Sequence, residues 1–411
     1  MTTTRPQRGQ RGSAPVPGDP EPAAANRSGG ATAIVVVQKV FGAETSNFFL
    51  LLGTTLFLLA FGLVMVLSSS SIEDGASAGH DFFSSFARQG LYALIGVPLL
   101  LIASRMPVGF WKKWAWPAVV ATSVLQLLVF APGLSYAFQG NQNWIHIGSF
   151  TAQPSELVKL ALILWVSWIL ARKRSLLDDW KHVFLPIAPV AGISIGLVLL
   201  GHDLGTAIIM GMIVIGCLFY AGVRLRIVAV AVVVAAAIAL LFTQVRTSRT
   251  DRISAWLEGC TAKGDYSGSC WQSIHAWWGI ASGGIFGSGL GESKAKWSWL
   301  PEADNDFIFA IIGDELGLIG AVLVLVLFIV LAIAFIRIIR ASTDPFARTV
   351  TGGVMVWVIG QAFVNIAVVL GFLPVLGVPL PLISAGGSSL IASLVGIGVV
   401  LSFARHRPVR E

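Results

Sequence analysis

Ten apolar stretches, each close to the length that crosses a bilayer, follow one another between Asn47 and Ala404. They occupy roughly 47–68, 89–104, 114–131, 155–171, 183–200, 204–221, 227–243, 307–336, 349–370 and 383–404. A spanning helix needs about 20 predominantly apolar residues, because hydrocarbon offers the backbone no hydrogen-bond partner other than the helix itself. Charged residues make up 12% of the chain, against about 25% in soluble domains. A chain so poor in charge cannot cover itself with a hydrated surface, which excludes a cytosolic enzyme. The prediction is an all-α polytopic membrane protein. The eighth stretch is long and opens on polar residues, so its first turns are expected at the outer interface. No internal repeat is visible, which weighs against an inverted-repeat transporter.

Residues 1–44 differ in composition, being rich in Pro, Gly, Ser, Thr and Ala with scattered Arg5, Arg8, Arg11 and Arg27. They read as a disordered cytoplasmic tail and not as a secretory signal, since no apolar run follows the basic stretch promptly. The expected organisation is this tail, a transmembrane domain over 45–405 and a short cytoplasmic tail over 406–411. With the N-terminus inside, 20 of the 28 Lys and Arg residues fall on the inner side. Six of the seven outer ones lie in the single long loop, 244–306, where the positive-inside rule counts least. Both termini are therefore expected in the cytoplasm. The net charge of +7 reflects this topology and not nucleic-acid binding. The outer loop carries Cys260 and Cys270, which on the oxidising side are candidates for a disulfide; two free thiols is the alternative.

Most spans are plain Val, Leu, Ile and Ala. The polar and glycine-rich exceptions gather near the outer ends: Gly140 to Trp144, Gln153 to Lys159, His202 to Thr206, Ser282 to Gly317 and Leu373 to Ser389. That one-sided distribution predicts a single outward-facing site. Glu156 and Lys159, three apart, share a helix face; they are either a mutually neutralising structural pair or a positive charge offered to an anionic headgroup. The glycine-rich run Ser282–Gly291 could set backbone N–H groups against phosphate, and Lys294 and Lys296 follow it at once. In Pro301-Glu302-Ala303-Asp304-Asn305-Asp306 three acids alternate before an apolar helix. If extended they would share a face and could hold a divalent cation. Asp306 could instead cap the helix or act as a general base. Asp314 and Glu315 follow two turns on, solvated if interfacial and in need of partners if deeper. Ser384, Gly386, Gly387, Ser388 and Ser389 either permit close helix packing or line a pyrophosphate pocket at a helix start.

In this order the motifs resemble the SEDS family (shape, elongation, division and sporulation) over roughly 45–405. The residues carrying the resemblance are Gln153-Pro154-Ser155-Glu156, Asp203-Leu204-Gly205-Thr206, Leu300-Pro301-Glu302, Asp306-Phe307-Ile308-Phe309, and Leu373-Pro374 with Ser384 to Ser389. Lys294-Ala295-Lys296-Trp297 and Asn305-Asp306 are closer to the cell-division member than to the elongation member. The resemblance implies a peptidoglycan glycosyltransferase that polymerises lipid II in a bacterial plasma membrane, at the septum. It also implies a class B penicillin-binding transpeptidase and other division proteins as partners. Asp306 would then be the catalytic carboxylate. Glu156, Lys159, Trp144, Lys296, Glu302, Ser384, Gly386, Gly387 and Ser388 would form the substrate site. The polyprenyl diphosphate leaving group needs positive charge, from Lys159, Lys296, an arginine such as Arg246, Arg249 or Arg252, or a cation, Mg or Mn, at Asp304 and Asp306; no organic cofactor is expected. Three residues depart from the family pattern: Asn143 stands where arginine is common, His202 where proline is usual and Asp304 where histidine is common. A lipid II flippase and a non-catalytic division scaffold are the rival readings.

Overall fold

The computed structural model describes the main body of the protein over residues 45–76, 84–138, 141–147, 150–244, 247–260, 268, 270–293 and 300–405. Apart from Thr2, the tails expected over 1–44 and 406–411, together with Arg246, Lys294 and Lys296, lie outside the described residues. Among those described, ten helices are long and apolar enough to span a membrane. In chain order the helices are α1 (Ser46–Ala76), α2 (Ser84–Arg105), α3 (Val108–Leu127), α4 (Pro154–Arg172), α5 (Trp180–Leu200), α6 (Leu204–Ala221) and α7 (Leu225–Thr243). Two short outer helices follow, α8 (Thr247–Leu257) and α9 (Trp271–Gly283), then the spans α10 (Ile308–Ala341), α11 (Pro345–Val369) and α12 (Gly387–Arg405).

The bundle is packed unevenly. In α4, 78% of the spanning window is buried, whereas in α7 the figure is 6%. A helix that is apolar all round and buried is a core helix, and α4 is that core. Helix α7 touches the bundle mainly through α6 and turns most of its surface to lipid. Thr45 Oγ1 donates to Ala404 O (2.9 Å), tying the entry of the first span to the exit of the last.

Three irregularities matter for function. The polar stretch before α4 forms a small antiparallel sheet, β1 (Ser135–Phe138), β2 (Asn141–Ile147) and β3 (Phe150–Ala152), paired in that order. Asn143 and Ile145 are buried, Trp144 between them is half-buried and His146 is exposed, the period-two pattern of a strand with one covered face. The all-α expectation thus gains a small β element. Helix α10 breaks at Gly317 (φ 66°, ψ −163°), which separates its first turns from the rest of the span. Helix α11 contains a π-helical turn at Val356–Gly360, and after α11 residues 371–386 run without helix back into the bundle. Non-helical backbone at this depth survives only where it is buried in protein or lines a wet cavity, and this segment does both. Cys260 and Cys270 are joined by a disulfide, S–S 2.01 Å, between the end of α8 and the start of α9.

Candidate active site

The outer ends of α4, α6, α7 and α11, the sheet, α8 and the 371–386 segment enclose a cavity of about 580 Å³. Its lining includes the charged residues Asp203, Glu302, Asp306, Arg249 and Arg252. Apolar Ile208, Met212, Leu240 and Val364, which belong to spans, line it as well. A single chamber therefore offers both charged and apolar lining.

Asp306 ends the acidic turn, which is coiled and not extended. Glu302 takes a left-handed φ of 59°, and its carbonyl accepts from the N–H groups of Asn305 and Phe307 (both 3.1 Å). The N-cap position of α10 is Phe307, and no side chain caps the helix. Asp306 is therefore not a cap, and its carboxylate is left for the cavity. Burial pushes that carboxyl up to about 7, reinforced by the negative charges of Glu302, Asp203 and Asp304 and opposed by Arg252. Asp203 Oδ1 accepts from the Thr206 N–H (2.8 Å) at the start of α6, and Oδ2 accepts from Gln153 Nε2 (3.0 Å). Burial raises its carboxyl too, against the Thr206 bonds and the charges of Lys159 and Arg249.

The other expected site residues divide into two groups. Trp144, Glu156, Glu302 and Gly386 line the cavity. Lys159 does not; its Nζ lies 2.8 Å from Glu156 Oε2, donates to Gln361 Oε1 (3.1 Å) and sits 5.0 Å from the Trp357 ring. The structure thus places Lys159, expected at the substrate, off the cavity wall in a buried ion pair. Ser384 is also turned away from the chamber. Its Oγ accepts from Leu380 N–H (2.8 Å) and donates to Asn305 O (2.6 Å). Ser388 Oγ accepts from Gln153 N–H (3.1 Å), and Gly387 makes room for the Tyr92 ring. None of these three is in the lining of this cavity.

The glycine-rich run is no phosphate cradle either. The N–H groups of Gly287, Ser288 and Gly289 donate to Gly283 O, Asp314 O and Glu315 O (2.7, 2.9 and 3.0 Å). Its glycines let it press against the broken start of α10. A Cβ on Gly283 would stand 2.1 Å from Gly313 O. Asp314 and Glu315, both buried, are satisfied by hydroxyls: Ser282 and Ser293 donate to Asp314 (2.5 and 2.6 Å), and Ser68 to Glu315 (2.5 Å). Positive charge at the site comes from α8. Arg249 and Arg252, one turn apart on that helix, both line the cavity, and Arg249 Nη2 donates to His202 O. His202 has φ 66°, a value the proline ring forbids, so the backbone here departs from what a family proline would allow. Of the arginines expected to supply positive charge, Arg249 and Arg252 thus line the cavity, together with Asp203, which the sequence marked only as part of a motif.

Among the described residues no three His, Cys, Asp or Glu side chains gather as a set that could hold a metal. The acids at 302, 304 and 306 do not share one extended face, so a metal held by the protein alone does not fit here.

The family profile described as "Cell cycle protein", named for FtsW, RodA and SpoVE, matches residues 49–408. The "Probable peptidoglycan glycosyltransferase FtsW" of Mycobacterium tuberculosis is 39% identical over 97% of this chain and 75% of its own length. The protein of that name from Geobacter sp. strain M18 is 40% identical over 84% of this chain and 93% of its own. "Stage V sporulation protein E" of Bacillus subtilis is 34% identical over 88% and 98%. Among solved structures, the rod shape determining protein RodA of Thermus thermophilus superposes with a TM-score of 0.63 at 26% identity, covering 87% of this chain and 96% of that one. A chain from work titled "Structural coordination of polymerization and crosslinking by a peptidoglycan synthase complex" has the same fold, with a TM-score of 0.69, 24% identity and coverage of 86% and 96%. Spans, motifs and relatives agree: the chain belongs to the FtsW, RodA and SpoVE family of cell cycle proteins, the SEDS family.

Proposed function

We infer that this chain is a peptidoglycan glycosyltransferase that polymerises lipid II into glycan strands for cell division. The observation that carries the reading is Asp306, a carboxylate whose proton affinity is raised to about 7, in a chamber lined by charged residues and by apolar residues of the spans. A base is most useful when its proton affinity lies near the working pH. Lipid II combines a sugar–peptide head, a diphosphate and a polyprenyl tail, and so requires a polar floor and an apolar side in one place.

Asp306 accepts the proton of the acceptor sugar hydroxyl as that oxygen bonds to the donor's anomeric carbon. The bond from that carbon to the diphosphate oxygen breaks, and its electron pair leaves with the polyprenyl diphosphate. A one-step displacement inverts the sugar carbon. Arg249 and Arg252 supply the positive charge the leaving group needs. Were a Mg or Mn ion to bind together with substrate, Asp304 or Asp306 would be the carboxylate to hold it, and it would neutralise phosphate charge. A class B penicillin-binding transpeptidase is the proposed partner, with other division proteins, at the septal plasma membrane. The test is purified full-length protein with fluorescent lipid II, with and without such a transpeptidase and a chelator. Glycan strands should form, and Asp306→Asn should abolish them; a folded Asp306→Asn protein that polymerises at the normal rate would refute the assignment.

A further inference from the structure

The carbonyls of Asp304, Asn305 and Asp306 are three successive acceptors, and each is taken by a donor from α11 or from the 371–386 segment. Ala385 N–H donates to Asp304 O (2.9 Å), Ser384 Oγ to Asn305 O (2.6 Å) and Asn365 Nδ2 to Asp306 O (2.7 Å). Asn365 gives its other amide hydrogen to Val378 O (2.7 Å). Both partners are pure acceptors, so the side-chain amide has only one orientation that bonds them. Helix α10 has no use for the Asp306 carbonyl, since its first turn closes from Ala310 N–H to Phe307 O (2.9 Å). Gly377, next to Val378, takes φ 68°, and a Cβ there would lie 3.6 Å from Asp306 Oδ2. The chain that Asn365 grips on one side therefore borders the carboxylate of the residue it grips on the other. One turn earlier in α11, Gln361 Nε2 donates to Pro379 O (2.9 Å) and Gln361 Oε1 accepts from Lys159 (3.1 Å), fastening the same segment to the core helix.

We propose that Asn365 is a positioning residue for the transfer: its amide locks the peptide of Asp306 to the 371–386 segment and so fixes where the carboxylate meets the acceptor hydroxyl. This rests on the reading of Asp306 as the base. Asn365 is 1% exposed and is not part of the cavity wall, so it acts through Asp306 and not on substrate. A displacement of about 1 Å at a reacting group can cost about 100-fold in rate.

The test compares Asn365→Ala and Asn365→Ser with the parent, full length and in lipid nanodiscs, using fluorescent lipid II. Asn365→Ala should lower kcat about 10- to 100-fold while KM stays within about threefold and thermal unfolding remains above the assay temperature, the pattern of an interaction realised in the transition state. Asn365→Ser keeps a single hydroxyl donor and should fall between; it is read alone if the alanine variant does not fold. An unchanged kcat, or a raised KM with kcat intact, overturns the proposal. Asp306→Asn is measured alongside. If it is inactive while Asn365→Ala keeps its kcat, only the positioning role fails; if it is active, the assignment of the base fails first.

Discussion

Lys159 Nζ lies 2.8 Å from Glu156 Oε2, with the two side chains 2% and 3% exposed, one turn apart at the outer end of the most enclosed span. Removing either partner leaves a buried charge without its counter-charge, which is expected to cost about 3–5 kcal/mol. Replacing both with uncharged residues of similar size costs less, because the desolvation penalty goes with the charges. Lys159→Met should therefore lower the unfolding temperature more than the double change Glu156→Gln, Lys159→Met does, as measured by thermal unfolding in nanodiscs. If Lys159 contacted substrate, the single variant would instead raise KM at unchanged stability.

Asp306 sets the acid limb of the pH profile. A base with a proton affinity near 7 is half protonated at that pH, so the polymerisation rate should fall about tenfold for each unit below it. The same shift has an opposite consequence for stability. Because the folded-state value is raised above the ordinary 3.8, folding is favoured by protonation: this contribution is full below about 3.8 and is lost as pH rises through about 7. Asp306→Asn should thus unfold at a higher temperature than the parent at pH 8, with the difference vanishing near pH 4. A variant that is inactive and more stable would mark a carboxylate kept for chemistry at the expense of the fold.

Arg252 is the positive charge that lowers the proton affinity of Asp306, against Glu302, Asp203 and Asp304. Arg252→Gln should move the acid limb of the rate profile to higher pH, and it should also lower kcat at its plateau by weakening the stabilisation of the leaving diphosphate. Rate–pH profiles of the two proteins separate these effects. A profile that moves to lower pH, or that does not move, contradicts the placement of Arg252 beside the acid.

Ten spans were legible because a run of about 20 apolar residues has few other uses, and the outer location of the site followed from where the polar residues interrupt those runs. The acidic turn was legible as chemistry, since three alternating acids before an apolar helix need a reason. Other parts were ambiguous for physical causes. A glycine run that receives phosphate and one that packs against a helix look alike in sequence, because both need the Cβ absent; only the hydrogen bonds of Gly287, Ser288 and Gly289 decide it. Ser384 and Ser388 offer hydroxyls that serve a ligand or a neighbouring backbone equally well, and here they serve the backbone. The spacing of Glu156 and Lys159 set them on one face without separating an ion pair from a substrate contact; the structure shows the pair, at 2.8 Å. Gln361 and Asn365, two amides four residues apart in an apolar span, share one face, but that spacing does not say which segment they bond.

The close fit of α9 against the start of α10 can be tested by adding one methyl group. At Gly283 an added Cβ would meet Gly313 O at 2.1 Å and Asp314 O at 2.6 Å, both backbone atoms with little freedom to yield. Gly192, within α5, has nothing within 4 Å of the same position. Gly283→Ala should therefore destabilise by about 1–3 kcal/mol, the usual penalty of overpacking. Gly192→Ala should stabilise slightly, by about 0.5–1 kcal/mol, through the greater helix propensity of alanine. Thermal unfolding of the two variants checks the contrast. Had the run from Ser282 to Gly291 been built to hold phosphate, Gly283→Ala would weaken lipid II binding at unchanged stability, so a raised KM with the parent's unfolding temperature would restore that role. Because α10 begins two residues after Asp306, the strained variant should also lose kcat, as the helix start carrying the acidic turn is pushed out of place.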